Sequence, residues 1–113
     1  MKVIYVAGPF RGPHHWAIAQ NIRKAEELSL EVWRIGCAAV CPHLNTAHYQ
    51  GVLPDDVWLY GDLAILARCD AMIVVPNWEH SKGTQGEIYE AERLEIPIFY
   101  NLASLIAWHN VNA

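Results

Sequence analysis

The sequence predicts an α/β protein: a small, doubly wound, mostly parallel sheet with helices on both faces. Three observations carry the prediction. Short apolar runs alternate with longer segments of helical period, in the order β-α-β-α-β-α-β-α. The runs lack the polar alternation of a half-solvated strand, so both of their faces are covered. Glycine, proline and polar residues gather directly after the first three runs, at what is one edge of such a sheet, where ligands of open parallel sheets bind.

Residues 2–7 (KVIYVA) form a β-branched and aromatic run ended by Gly8-Pro9, which reads as a buried strand. Ile18, Ile22, Ala25, Leu28, Val32 and Ile35 then recur at spacings of three and four, one face of a helix. Lys24, Glu27 and Glu31 fall off that stripe, and Gly36 supplies a stop. Residues 38–41 (AAVC) are a short second strand closed by Pro42, and 43–54 (HLNTAHYQGVLP) have no clear period and read as a loop. The loop is longer than a tight connection needs, which suits a binding role.

Pro54-Asp55-Asp56 has the acidic signature of a helix start, with Leu59, Leu63, Leu66 and Ala67 as its expected inner stripe. Residues 71–75 (AMIVV) are wholly apolar and therefore a central strand. A helix over 86–94, a strand over 97–100 and a helix over 102–109 complete the chain.

The totals fit one domain spanning 1–113, with 53% hydrophobic and 18% charged residues, enough for a real core. Five tryptophans are more than so small an interior can hide, which predicts a homo-oligomer or an aromatic pocket wall. A net charge of −4 with eight scattered basic residues argues against a nucleic-acid polymer as ligand, though not against a single nucleotide. Three cysteines without framework spacing suggest a reducing compartment. The first apolar run is too short for a signal-peptide core or a membrane span, so a cytoplasmic location and no membrane partner are expected.

The most informative segment is Ser81-Lys82-Gly83-Thr84-Gln85-Gly86-Glu87, after the central strand. It reads as a hydroxyl- and glycine-rich loop leading into a helix with Glu87 near its start. Glycines admit a ligand to the main chain, and free N–H groups at a helix start attract anions. The first loop, Gly8-Pro9-Phe10-Arg11-Gly12-Pro13, sets an arginine between glycines as a candidate phosphate fork; the plain alternative is a turn with a solvated arginine. Tyr5 reads first as a core tyrosine in need of a hydrogen-bond partner, and second as a group that tunes Glu87.

Asp62 lies mid-helix and Asp70 just before the central strand, at the sheet's other end, where surface and capping roles are usual. The six histidines and three cysteines show no metal spacing, so no metal is expected. Gly-x-Ser-x-Gly is absent and no cysteine has a convincing nucleophile context, which argues against hydrolysis of the serine or thiol kind.

Taken in order, these residues resemble the nucleoside 2-deoxyribosyltransferase superfamily, including its nucleoside 5′-monophosphate N-glycosidase branch and related phage and bacterial proteins. Tyr5-x-Ala7-Gly8-x-x-Arg11-Gly12 is similar to that family's opening strand and phosphate loop. Asp62-Leu63 with Asp70 before the apolar strand is similar to its middle motif, and Ser81-x-Gly83-x-x-x-Glu87 with Ala91 to its nucleophile motif.

The resemblance implies a flavodoxin- or Rossmann-like fold, usually dimeric or larger, with no cofactor. It implies Glu87 as nucleophile, Tyr5 as its positioner, Asp62 at the base, and Arg11 and Ser81 at a 5′-phosphate. Ser104 would be offered by a neighbouring subunit. Pro9 departs from the pattern of the monophosphate branch, where a serine tends to stand.

The chemistry expected of such a site is cleavage or transfer at the N-glycosidic bond of a nucleoside or nucleoside 5′-monophosphate. A carboxylate beneath C1′ stabilises and then bonds to the oxocarbenium-like centre, and an acid protonates the leaving base. Gly8, Gly12 and Gly83 are expected to line the pocket, and Trp78 or Phe10 to stack on the base. The rival reading is a nucleotide-binding sensor that uses the same pocket without turnover. A third is a structural oligomer whose tryptophans serve assembly.

Overall fold

In the computed structural model, which describes residues 1–112, four strands form one parallel sheet in the order β2-β1-β3-β4. The chain runs β1 (Val3–Ala7), α1 (His15–Arg34), β2 (Ala38–Val40), α2 (Pro42–Asn45), α3 (Asp55–Leu66), β3 (Ala71–Val74), α4 (Lys82–Arg93), β4 (Ile98–Phe99) and α5 (Leu102–Asn112). The strand order reverses between β1 and β3. The carboxyl ends of these two strands therefore flank the sheet's switch point, where a crevice opens in doubly wound folds.

Alternation along the strands assigns the two layers. Ile4 and Val6 of β1, with Ala71 and Ile73 of β3, pack with Ala25 and Val32 of α1 and Leu105 of α5. The intervening Tyr5 and Ala7, with Met72 and Val74, pack instead with Leu66 of α3 and Ile88 and Ala91 of α4. All eight strand residues are essentially inaccessible to water. Each large apolar side chain buried this way contributes roughly 1.5–3 kcal/mol, which is why the runs are continuous rather than alternating.

Local signals set the ends. α1 closes in a Schellman motif: Gly36 takes φ +93°, its N–H bonds the Trp33 carbonyl, and the Cys37 N–H reaches Val32. α4 closes the same way on Glu95 at φ 59°, with Ile96 N–H donating to Ala91. Asp70 turns the chain into β3 at the sheet's amino end, its Oδ2 accepting the Val3 N–H at 2.7 Å.

Three local expectations need correction. Residues 43–45, the start of the segment read as loop, belong with Pro42 to the short helix α2; proline suits a helix start because it has no N–H to leave unsatisfied. α4 begins at Lys82 rather than 86, because the Ser81 side chain accepts the Thr84 N–H and caps the helix four residues early. The expected inner stripe of α3 is only half right: Leu66 is buried and Leu63 partly so, but Leu59 and Ala67 are exposed. Val57 and Tyr60 are exposed as well, so α3 presents much of its apolar surface outward.

Candidate active site

The polar centre of the molecule lies on the α3/α4 side of the sheet, where β1, α3 and α4 meet. Tyr5 points from β1 into this layer and its hydroxyl donates to Glu87 Oε2 in a short hydrogen bond. The phenol is fully buried. Burial, and then the Glu87 charge, push its pKa far above the usual range, so it stays a donor at any ordinary pH.

Glu87 sits in the second turn of α4, on the helix face that also carries buried Thr84, Ile88 and Ala91. That amphipathic face delivers the carboxylate to the sheet. Burial raises its pKa to about 7; the Tyr5 hydrogen bond opposes the rise, and the charge of Asp62 adds to it. Asp62, half-buried on α3, is itself raised to about 6 by burial. The three groups are thus electrostatically coupled: Glu87 titrates near neutral pH and Asp62 about one pH unit lower.

The segment after β1 lies at the carboxyl edge beside this centre and is pinned from both sides. Asn21 of α1 donates to the Phe10 and Arg11 carbonyls, each at 3.2 Å. His43 of α2 bonds the Pro9 carbonyl at 2.8 Å through Nε2, and its ring stands edge-on to Phe10 at 5.4 Å. Burial lowers the His43 pKa, so the ring is neutral and serves as donor there. Neither Asn21 nor His43 was singled out for the site from the sequence, because nothing local marks a contact spanning 10 or 34 positions.

The glycines also serve the fold. A Cβ on Gly8 would lie 2.7 Å from Val75 side-chain atoms, and one on Gly12 2.8 Å from the Ala17 Cβ. These two glycines therefore admit the chain's own neighbours. Gly83 and Gly86 lie within α4 facing open space, so they are helical residues rather than a cradle in a loop.

Ser81 accepts from both the N–H and the hydroxyl of buried Thr84, which leaves its own O–H to donate. Arg11 is exposed and paired with Asp55 of α3 at 2.6 Å. Trp78 packs against the same layer as Tyr5 and meets Tyr100 at 5.6 Å.

Ser104 does not join this group. It lies exposed on α5, which packs on the opposite side of the sheet, so a role at Glu87 requires a second copy of the chain. Two open depressions of about 590 and 480 Å³ flank α1, and neither is lined by Tyr5, Asp62 or Glu87. The site is defined by the converging polar groups Tyr5, Asp62 and Glu87. Cys37, Cys41 and Cys69 all have pKa values raised by burial, which disfavours a thiolate nucleophile. No group of three or more potential metal ligands occurs among the described residues, and no described helix is long and apolar enough to cross a membrane.

Comparison with solved structures bears on the fold. A 2-deoxyribosyltransferase from the psychrotolerant bacterium Bacillus psychrosaccharolyticus superposes with a TM-score of 0.63 at 19% identity, over 85% of this chain and 69% of that one. At that identity the likeness establishes a shared α/β architecture. No curated protein matches the sequence. The family described as a domain of unknown function (DUF7768) matches residues 2–101, which takes in every strand, the Tyr5–Glu87 pair and Asp62, and the chain belongs to that family.

Proposed function

We propose that the protein cleaves or transfers at the N-glycosidic bond of a nucleoside or nucleoside 5′-monophosphate, with Glu87 as the nucleophile. The observation that carries the reading is the hydrogen bond between buried Tyr5 and Glu87, within electrostatic reach of Asp62. Tyr5 holds one carboxylate oxygen and leaves Oε1 free. That oxygen attacks C1′ as the bond to the base breaks; the bond's electron pair goes to the base nitrogen, which takes a proton from Asp62. Water, giving hydrolysis, or a second base, giving transfer, then attacks C1′ while yielding a proton to the Asp62 carboxylate, and the electron pair of the ester bond returns to Glu87.

The reactive form has Glu87 ionised and Asp62 protonated. Between about pH 6 and 7 one proton resides on the pair, mostly on Glu87, the more basic carboxyl, so the reactive form is the minor tautomer of that state, and activity should be bell-shaped around that window. Trp78 and Phe10 are the proposed aromatic walls for the base, and the Ser81 hydroxyl a proposed donor to the sugar or its substituent.

We extend the proposal to assembly. Trp16 and Trp33 are exposed, as are Val57, Leu59 and Tyr60 of α3, and association of copies would cover such surface. A homo-oligomer is the expected state, and it is the arrangement in which Ser104 can reach a neighbouring site.

The test is incubation with 2′-deoxynucleosides and their 5′-monophosphates, with and without a second free base, followed by chromatography for released base. Wild type should release base and Glu87→Ala should not. Ligand binding without release, unchanged in Glu87→Ala, would replace the enzyme by a nucleotide-binding module.

A further inference from the structure

Arg11 is the one charged residue of the segment 8–13 and the natural anchor for an anionic substituent arriving at this edge. It is already engaged. Its Nη2 donates to Asp55 Oδ2 at 2.6 Å, and Gln50 donates to Oδ1 of the same carboxylate at 3.3 Å. Asp55 is the first residue of α3, where the helix dipole also favours an anion. Hydrogen bonding by Arg11 and its charge hold the Asp55 carboxyl below the usual carboxylate range. Three independent features thus keep a negative charge against the only cation of the loop.

The remaining electrostatics point the same way. Asp55 and Asp62 are seven residues apart on α3, two turns or about 10 Å along one face. That face therefore carries one carboxylate against Arg11 and another coupled to Glu87. Pro9 has no N–H to offer to an anion. A dianionic phosphate brought to Arg11 meets a guanidinium neutralised by its own chain, beside further acidic groups. A 5′-hydroxyl carries no such penalty, and can donate to Asp55 while accepting from Arg11.

We propose that Asp55 is a specificity-determining residue: by holding Arg11 it excludes 5′-phosphorylated ligands, so the site takes the uncharged nucleoside. The assignment rests on the reading of the Tyr5–Asp62–Glu87 centre as a nucleoside site. The residue is exposed and asparagine is nearly isosteric with it, so Asp55→Asn is expected to keep the fold.

Titration calorimetry of the full chain with a 2′-deoxynucleoside and with its 5′-monophosphate, for wild type and Asp55→Asn, tests it. Wild type should bind the nucleoside at least about tenfold more tightly than the monophosphate, as expected for one uncompensated charge near a partly solvated dianion. Asp55→Asn should shrink that ratio about tenfold, and added salt should shrink it in wild type alone. Equal or tighter binding of the monophosphate by wild type, or a ratio unmoved by the substitution, overturns the assignment. So does failure of both ligands to bind, which removes the nucleoside reading with it. Base release from the same samples separates the two claims: the predicted binding ratio without release keeps Asp55 as the selector and sinks the glycosidic chemistry.

Discussion

The two sides of the sheet are built to different rules. Towards α1 and α5 the layer is closed and apolar, with Ile4, Val6, Ile73 and Leu105 all inaccessible. Towards α3 and α4 the same strands contribute Tyr5, and the helices bring Glu87 and Asp62 into partly buried positions that raise both pKa values. Burial stabilises the first side. On the second it works against the fold, because a carboxyl whose ionised form is disfavoured weakens the native state wherever the unfolded chain would ionise. Groups perturbed in this way are concentrated at functional sites, which is the ground for the proposal above.

The largest contrast should come from Glu87→Gln. The amide still accepts from Tyr5 but cannot bond to C1′, so base release should fall at least about 1,000-fold. Stability should move the other way. The native Glu87 carboxyl holds its proton between its ordinary 4.5 and about 7, so wild-type stability falls as pH rises through that window. Above it the cost is on the order of 3 kcal/mol, and Glu87→Gln should melt several degrees higher than wild type at pH 8 while matching it near pH 4.

On the closed side the signs reverse. Ile73→Ala should cost about 2–5 kcal/mol, a large part of what a domain of this size has. Denaturant melts should show it, with turnover per folded molecule unaffected.

Within the polar centre, two substitutions should alter the pH–rate profile in different ways. Asp62→Asn removes the proton donor, so the basic limb should disappear and the rate fall by about 100-fold, with the acidic limb of Glu87 remaining. Tyr5→Phe removes a hydrogen bond that lowers Glu87, so the acidic limb should move to higher pH. A profile unchanged in both variants would show that Asp62 and Glu87 do not set it.

The smallest effect tests the early start of α4. Gly86 lies inside the helix with open space where a Cβ would go, so Gly86→Ala should stabilise by about 0.5–1 kcal/mol. A glycine in a strained loop would respond with a loss.

Much of this was legible along the chain. The continuous apolar runs announced strands covered on both faces, and the spacing from Ile18 to Ile35 announced α1, because burial is written into local periodicity. Tyr5, Asp62 and Glu87 could each be named, yet a tyrosine in an apolar run reads as core; only the strand's alternation shows that it faces α4. The segment 81–86 was misread because its two glycines suggest a loop, whereas the Ser81 cap and the burial of Thr84 and Ile88 against the sheet hold it helical, and tertiary packing of that kind is not written in composition.

What the sequence alone determined is the set of elements and their order, since hydrophobic period and turn residues act over a few positions. The tertiary structure decided which charges meet. The Arg11–Asp55, His43–Pro9 and Tyr5–Glu87 contacts join residues 44, 34 and 82 positions apart. Their geometry depends on how helices cross the sheet, and the pKa shifts depend on the burial that this crossing creates.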